Sequence, residues 1–190
     1  MKKKILIIGG SGFLGFNTIL SLKKNKSFKI TSISRNIPKH IKKIKNIELI
    51  KADLSKPKIL EKKIGNKNFD IIMNFGGNIE HSNKMQTEKS HFKVCKNLVD
   101  FFKKKNISLF IQAGSSMEYG NLKSPNNEKS KCKPNSIYGK SKLKSSNYIS
   151  KKSNFRYVIL RLYQIYGPHQ KLNRVIPLAI KNLLQGKIFK

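Results

Sequence analysis

The start of the chain restricts its fold more than any other stretch. The apolar run Ile5-Leu6-Ile7-Ile8 passes directly into Gly9-Gly10-Ser11-Gly12-Phe13-Leu14-Gly15. An unbroken apolar run of this length reads as a strand buried on both faces, and the residues after it read as a helix. The glycines fall at the spacing Gly9-x-x-Gly12-x-x-Gly15. In a strand-to-helix turn of this kind the first glycine permits a tight bend. The second lets the backbone approach a pyrophosphate, and the third lets the helix pack closely on the sheet. The helix start then offers free N–H groups and the positive end of the helix dipole to phosphate. The turn therefore predicts a dinucleotide site held by Gly9, Gly12, Phe13, Leu14 and Gly15.

Strand-like and helical patterns alternate along the rest of the chain. A helix is expected near Phe13–Lys24, a strand at Lys29–Ser34, a short strand at Glu48–Lys51 and a helix at Pro57–Ile64 with its proline in the first turn. Asp70–Phe75 reads as a buried strand. Met85–Lys105 reads as one long helix with Phe92, Cys95, Leu98, Val99 and Phe102 on a single apolar face. Ile107–Gln112 is the next strand, Ser136–Lys151 a helix, Tyr157–Leu162 a strand and Arg174–Leu184 a final helix, while Asn121–Asn135 reads as a long polar loop. Strands joined by helical crossovers predict one α/β domain over residues 1–190, a doubly wound parallel sheet covered on both faces. Right-handed crossovers make it a Rossmann-type dinucleotide-binding fold with its ligand at the carboxyl ends of the strands.

Two further groups converge on that crevice. Ser115-Ser116 follow a strand, and Tyr138-Gly139-Lys140-Ser141-Lys142 opens a helix with Tyr138 and Lys142 at i and i+4 on one face. Taken alone, a Tyr-x-x-x-Lys spacing is common on amphipathic helices, and paired serines commonly cap turns. In order after the glycine turn, the pieces resemble the short-chain dehydrogenase/reductase superfamily, and within it the extended branch of nucleotide-sugar epimerases and dehydratases. The resemblance rests on Gly9–Gly15, Asp53, Asp70–Gly77, Ser115-Ser116-Met117-Glu118-Tyr119-Gly120, Pro134–Lys142 and Arg161-Leu162-Tyr163-Gln164-Ile165-Tyr166-Gly167-Pro168. These segments span nearly the whole chain.

The resemblance implies an NAD(P)-dependent enzyme that acts on a nucleotide-linked sugar by hydride transfer. Tyr138 would be the acid/base, Lys142 would lower its pKa and hold the nicotinamide ribose, and Ser115 would bind the reacting sugar oxygen. Ser116 and Gln164 would lie on the substrate side, with Asp53 and Leu54 beside the adenine. At the end of the second strand Ser34-Arg35 stands where an acid would bind the ribose hydroxyls. An arginine there suits a 2′-phosphate, so NADP is favoured over NAD.

Departures from the family pattern narrow the activity. Dehydratases of the family carry an acid one or two positions after Ser115, where this chain has Ser116 and Met117, with Glu118 a position later. Dehydration is therefore disfavoured, which leaves an epimerase, an NADPH-dependent 4-keto-sugar reductase or a non-catalytic dinucleotide-binding module. Asn74-Phe75-Gly76-Gly77 stands where His-Leu-Ala-Ala is frequent, and His91 where asparagine is frequent. Family members are considerably longer than 190 residues, so the chain is expected to lack most of the C-terminal lobe that covers the sugar nucleotide.

Composition adds limits on partners. The net charge of +32 comes from lysines spread along the chain, with Lys, Asn and Ile abundant, a pattern of compositional bias. No aromatic-interleaved basic motif supports specific nucleic-acid binding, although a diffuse positive field would help gather a diphosphate substrate. No apolar stretch approaches the ~20 residues of a membrane span, and the lysine-led start is followed by too short an apolar run for a secretory signal. Cys95 and Cys132 have no metal or redox spacing and read as reduced thiols of a cytoplasmic protein. The histidines, His40, His81, His91 and His169, are scattered and suggest no metal site. The long helices offer a surface for a homodimer.

Overall fold

The alternating pattern folds into one parallel sheet. The computed structural model describes residues 2–78 and 82–187, so His81 and the last three residues lie outside the described part. In chain order the elements are β1 (Lys3–Ile8), α1 (Phe13–Leu22), β2 (Phe28–Ser34), α2 (Lys39–Lys42), β3 (Ile47–Lys51), α3 (Pro57–Ile64) and β4 (Ile71–Asn74). Then follow α4 (Lys84–Glu88), α5 (Val94–Phe102), β5 (Leu109–Ala113), α6 (Ile137–Lys152), β6 (Tyr157–Leu160) and α7 (Val175–Leu184). The sheet order is β3-β2-β1-β4-β5-β6 with every pair parallel. The order reverses between β1 and β4, and a crevice opens there above the strand ends, where such sheets bind ligands.

β1 explains why the first apolar run has no polar break. Its side chains alternate between the faces, Ile5 and Ile7 on one and Leu6 and Ile8 on the other, and all are buried. Leu6 and Ile8 join Ile33, Ile72 and Phe110 beneath Leu60 and Ile64 of α3, Leu98, Val99 and Phe102 of α5, and Ile149 of α6. Ile5, Ile7 and Ile30 pack under Ile19 of α1.

Three expectations need correction. The cover of the sheet is incomplete along its β6 edge. Tyr157, Val158 and Leu160 of β6 and Val175, Ile180, Leu183 and Leu184 of α7 remain exposed, and no residue of α7 is buried. The helix expected at Met85–Lys105 is α4 and α5 joined through a π turn at Lys89–Lys93, and it ends at Phe102. The π turn escapes a search for a 3.6-residue period because it adds a residue without disturbing the burial of Cys95, Leu98, Val99 and Phe102. Phe92 is only half-buried and packs edge-on against Tyr148. The last strand stops at Leu160, after which Leu162 uses its carbonyl to accept the N–H of Ser116.

Candidate functional site

The glycine turn closes on itself at two of its glycines and stays open at the third. Gly9 has φ +78, and a Cβ there would come within 2.8 Å of the Gly76 nitrogen and the Phe75 oxygen. A Cβ on Gly15 would lie 2.4 Å from the Gly9 carbonyl oxygen. Gly12 is exposed, and a Cβ there would meet only the Gly9 oxygen, at 3.3 Å. Little in the chain requires its bareness, which leaves the backbone there open to the outside. The first α-helical bond of α1 runs from Phe16 N–H to Gly12 O, which leaves the N–H groups of Phe13 and Leu14 without an intrahelical acceptor. A phosphate group fits this arrangement of open backbone and unspent donors.

Beside the turn lies a cleft of about 910 Å³, lined by Gly9, Ser11 and Gly12 of the turn, Ser34 and Arg35 after β2, Asp53 and Leu54 after β3, and Gly76 and Gly77 after β4. Gln86, Lys89, Ser90 and Val94 line it from the helix side, and Lys171 and Asn173 also reach it. Ser34 is buried, and its hydroxyl accepts the Ser11 N–H at 3.1 Å, which pins the glycine turn to the end of β2. Arg35 donates to the Gly77 carbonyl at 3.2 Å. Asp53 accepts the Ser55 N–H at 3.1 Å and lies 3.8 Å from the Lys89 ammonium. Burial raises the Asp53 pKa, but bonds from Ser55 and the charges of Lys89 and Arg35 outweigh it and hold the carboxyl below its ordinary value. Leu54 is buried under the cleft.

Ser115, Tyr138 and Lys142 do not line this cleft. Ser136 caps α6 by accepting the Gly139 N–H at 3.0 Å, and so sets the start of the helix that carries Tyr138 and Lys142. The Ser115 hydroxyl stands near enough to Tyr138 to pull its pKa down, which brings two of the expected residues together. Lys142 is buried, with its ammonium 5.7 Å from the centre of the Tyr138 ring, and it donates to the Ala113 carbonyl at 2.6 Å. Burial lowers its pKa to about 8, against the partial support of the Glu118 charge. The expected effect on Tyr138 is reversed here. Burial raises the phenol pKa, the Ser115 hydroxyl offsets it only in part, and the Glu118 charge adds to the rise.

Glu118 was not anticipated as part of this architecture. Ser115 caps a 3-10 turn at Ser116–Glu118, and its hydroxyl accepts the Met117 N–H at 3.2 Å. Glu118 turns back into the protein and is 0% exposed. One carboxylate oxygen accepts the Ser115 N–H at 2.9 Å, and the other accepts from Ser146 at 2.9 Å and from Arg161 at 3.2 Å. The spacing Ser115-x-x-Glu118 is the capping-box signature, so this role was readable in the sequence.

His91 was also undervalued. The π turn buries it with its ring 5.1 Å from that of Tyr138, edge to face, and against Gly77, where a Cβ would come within 2.4 Å of the imidazole. Ser116 is half-buried beside Ser115. Gln164 lies in an exposed stretch and does not line the cleft. Phe13 and Leu14 do not line the cleft either, and Phe13 faces Gly167. Among the described residues there is no cluster of His, Cys, Asp and Glu fit to hold a metal, and no helix long and apolar enough to cross a membrane.

A parallel sheet of order 3-2-1-4-5-6 with a glycine turn at its switch point and a Ser-Tyr-Lys group beyond defines a Rossmann-type member of the extended short-chain dehydrogenase/reductases. The chain belongs to the NAD dependent epimerase/dehydratase family, whose sequence profile matches residues 5–190. It is 25% identical to dTDP-D-glucose 4,6-dehydratase of Dictyostelium discoideum, over 97% of this chain and 49% of that protein. It is also 25% identical to the bifunctional UDP-glucose 4-epimerase and UDP-xylose 4-epimerase 1 of Pisum sativum, over 88% of this chain and 54% of that one. The chain thus spans about half the length of these relatives.

Solved structures share the fold. The Bordetella bronchiseptica enzyme WbmG in complex with NAD and UDP superposes with a TM-score of 0.89 at 20% identity, over 100% of this chain and 62% of that one. UDP-glucuronic acid 4-epimerase from Bacillus cereus, in complex with UDP-glucuronic acid and NAD, gives 0.82 at 22% identity, over 97% and 64%.

Proposed function

We propose that this chain is the dinucleotide-binding and catalytic part of a nucleotide-sugar epimerase that works by hydride transfer at a sugar carbon. The observation that carries this reading is the Ser115 hydroxyl beside Tyr138, with Lys142 one helical turn on. NAD(P) bound in the cleft would supply the two-electron acceptor and donor for that carbon. Gly12 and the N–H groups of Phe13 and Leu14 would take its pyrophosphate, and Asp53 and Leu54 would flank its adenosine end. Ser115 would orient the reacting hydroxyl toward Tyr138, which would take its proton and later return it. Burial raises the Tyr138 pKa in the chain as it stands, so its use as a base would need the positive charge of Lys142 and of a bound nicotinamide ring. Both cysteines are free thiols, in keeping with a reducing, cytoplasmic setting.

One observation favours a 4-keto-sugar reductase as the second reading. The end of β2 carries no acid, and Arg35 and Lys89 bring two cations to the adenosine end of the cleft, which suits NADP. A reductase would use up NADPH in step with substrate, whereas an epimerase would recycle its cofactor. Dehydration is disfavoured because Glu118, the nearest acid after Ser115, is fully committed to Ser115, Ser146 and Arg161.

The test is turnover of UDP- and dTDP-hexoses followed by proton NMR, with Tyr138→Phe alongside. The variant is expected to lose about a hundredfold or more in rate, the span of a positioned acid–base group. Equal rates for variant and parent would refute the role of Tyr138. For the cofactor, Arg35→Ala is expected to weaken NADP binding about tenfold and leave NAD binding nearly unchanged, as read by calorimetry. Equal losses for both would mean that Arg35 does not read a 2′-phosphate.

A further inference from the structure

The carbonyl that holds Lys142 is prepared by two buried amide side chains. Asn74 ends β4 and faces Gln112 of β5 in the parallel register. They are 1% and 2% exposed. Buried amides are costly unless their donors and acceptors are met, so the way these are met is informative. Gly76 N–H donates to Asn74 Oδ1 at 3.1 Å, Asn74 Nδ2 donates to Gln112 Oε1 at 2.8 Å, and Gln112 Nε2 donates to Ala113 O at 3.0 Å.

The Lys142 ammonium donates to that same Ala113 oxygen. A carbonyl oxygen has two acceptor positions, and here both are taken. The direction of the chain is forced, because the Gly76 N–H fixes which end of Asn74 accepts, and each later amide must follow. The chain of bonds also begins against the glycine turn, since Gly76 is the backbone that blocks a side chain at Gly9. A continuous line of hydrogen bonds, buried from Asn74 onward, therefore runs from the cleft wall to the lysine.

We propose that Asn74 and Gln112 are positioning residues that set where the Lys142 ammonium stands when a dinucleotide occupies the cleft. The proposal rests on the reading of Lys142 as a cofactor-holding residue. Gln112 acts on Lys142 through the shared carbonyl, and Asn74 acts through Gln112, so neither is a catalytic residue. Apolar side chains could fill both positions without the desolvation cost of an amide, so the amide pair is better explained by orientation than by packing.

A double-mutant cycle on dinucleotide binding, read by calorimetry at neutral pH, tests this. The parent chain is expected to bind, Lys142→Met to bind about tenfold more weakly, and Gln112→Met about fivefold more weakly. The variant carrying both changes is expected to bind no more weakly than Lys142→Met alone, because the amide acts through the lysine. Additive losses, as a general structural defect would give, or unchanged binding in Gln112→Met, would overturn the proposal. If the circular dichroism of Gln112→Met shows an unfolded chain, Asn74→Leu goes through the same cycle and the same outcomes decide. A parent chain that binds no dinucleotide would instead overturn the underlying reading of the cleft, and this proposal with it.

Discussion

At neutral pH a lysine in water is charged, and the burial of Lys142 at the strand ends works against that charge, bringing its pKa down to about 8 from the ordinary 10.5. Between those values an unfolded chain still holds a proton that the folded chain has released. As far as this group is concerned, folded stability therefore rises with pH across that window, and the gain is lost as pH falls through about 8. Lys142→Met is expected to raise the urea midpoint at neutral pH and to flatten the rise across the window. Matching slopes for parent and variant would show that Lys142 carries no such cost. Tyr138 and Lys142 were legible in the sequence because an i, i+4 pair depends only on the helix. The reversed shift of Tyr138 was not, because it depends on how much water the folded site removes. The Asn74–Gln112 pair was invisible for a similar reason, since strand register is set by residues far away in sequence.

The elements show how few contacts hold the site in place. β5, the 3-10 turn and α6 meet at Glu118, which joins the Ser115 backbone to Ser146 and to Arg161 beyond β6. Arg161 also lies 5.0 Å over the Tyr119 ring and donates to the Glu128 carbonyl at 3.2 Å, and so ties down the polar loop that follows. Arg161→Met would leave the buried Glu118 carboxylate without its ion-pair partner, a change that costs about 3 kcal/mol. For a domain of this size the thermal midpoint is expected to fall by about 6–12 °C, measured by calorimetry or circular dichroism. A fall of a degree or less would mean that the pair contributes nothing. The bounds of Pro57–Ile64 were readable because proline marks a helix start. The exposed face of β6 and α7 was not, because an apolar pattern reports a wish to be buried and not whether a partner is present.

For the whole molecule, a net charge of +32 on 190 residues means strong self-repulsion in the compact state. Ion pairs such as Lys96–Asp100 and Lys144–Glu88 relieve it only locally, since basic residues number 41 and acidic ones 9. Raising NaCl from about 0.05 to 0.5 M shortens the screening length severalfold, and the thermal midpoint is expected to rise with it. A flat or falling midpoint would show that local pairing outweighs the global repulsion.

The π turn has a consequence for alignment along its helix. Gln86 and Val94 both line the cleft, yet a regular helix turning by ~100° per residue would leave them ~80° apart. The wider turn absorbs roughly one residue of rotation and brings them back to within ~20°. One continuous rod can thereby keep Gln86, Ser90 and Val94 in line along the cleft while Leu98 and Phe102 stay seated on the sheet. The turn acts as a phase shifter that takes up one extra residue, and removing a single residue from 89–93 would leave a regular α-helix with the two halves still in step.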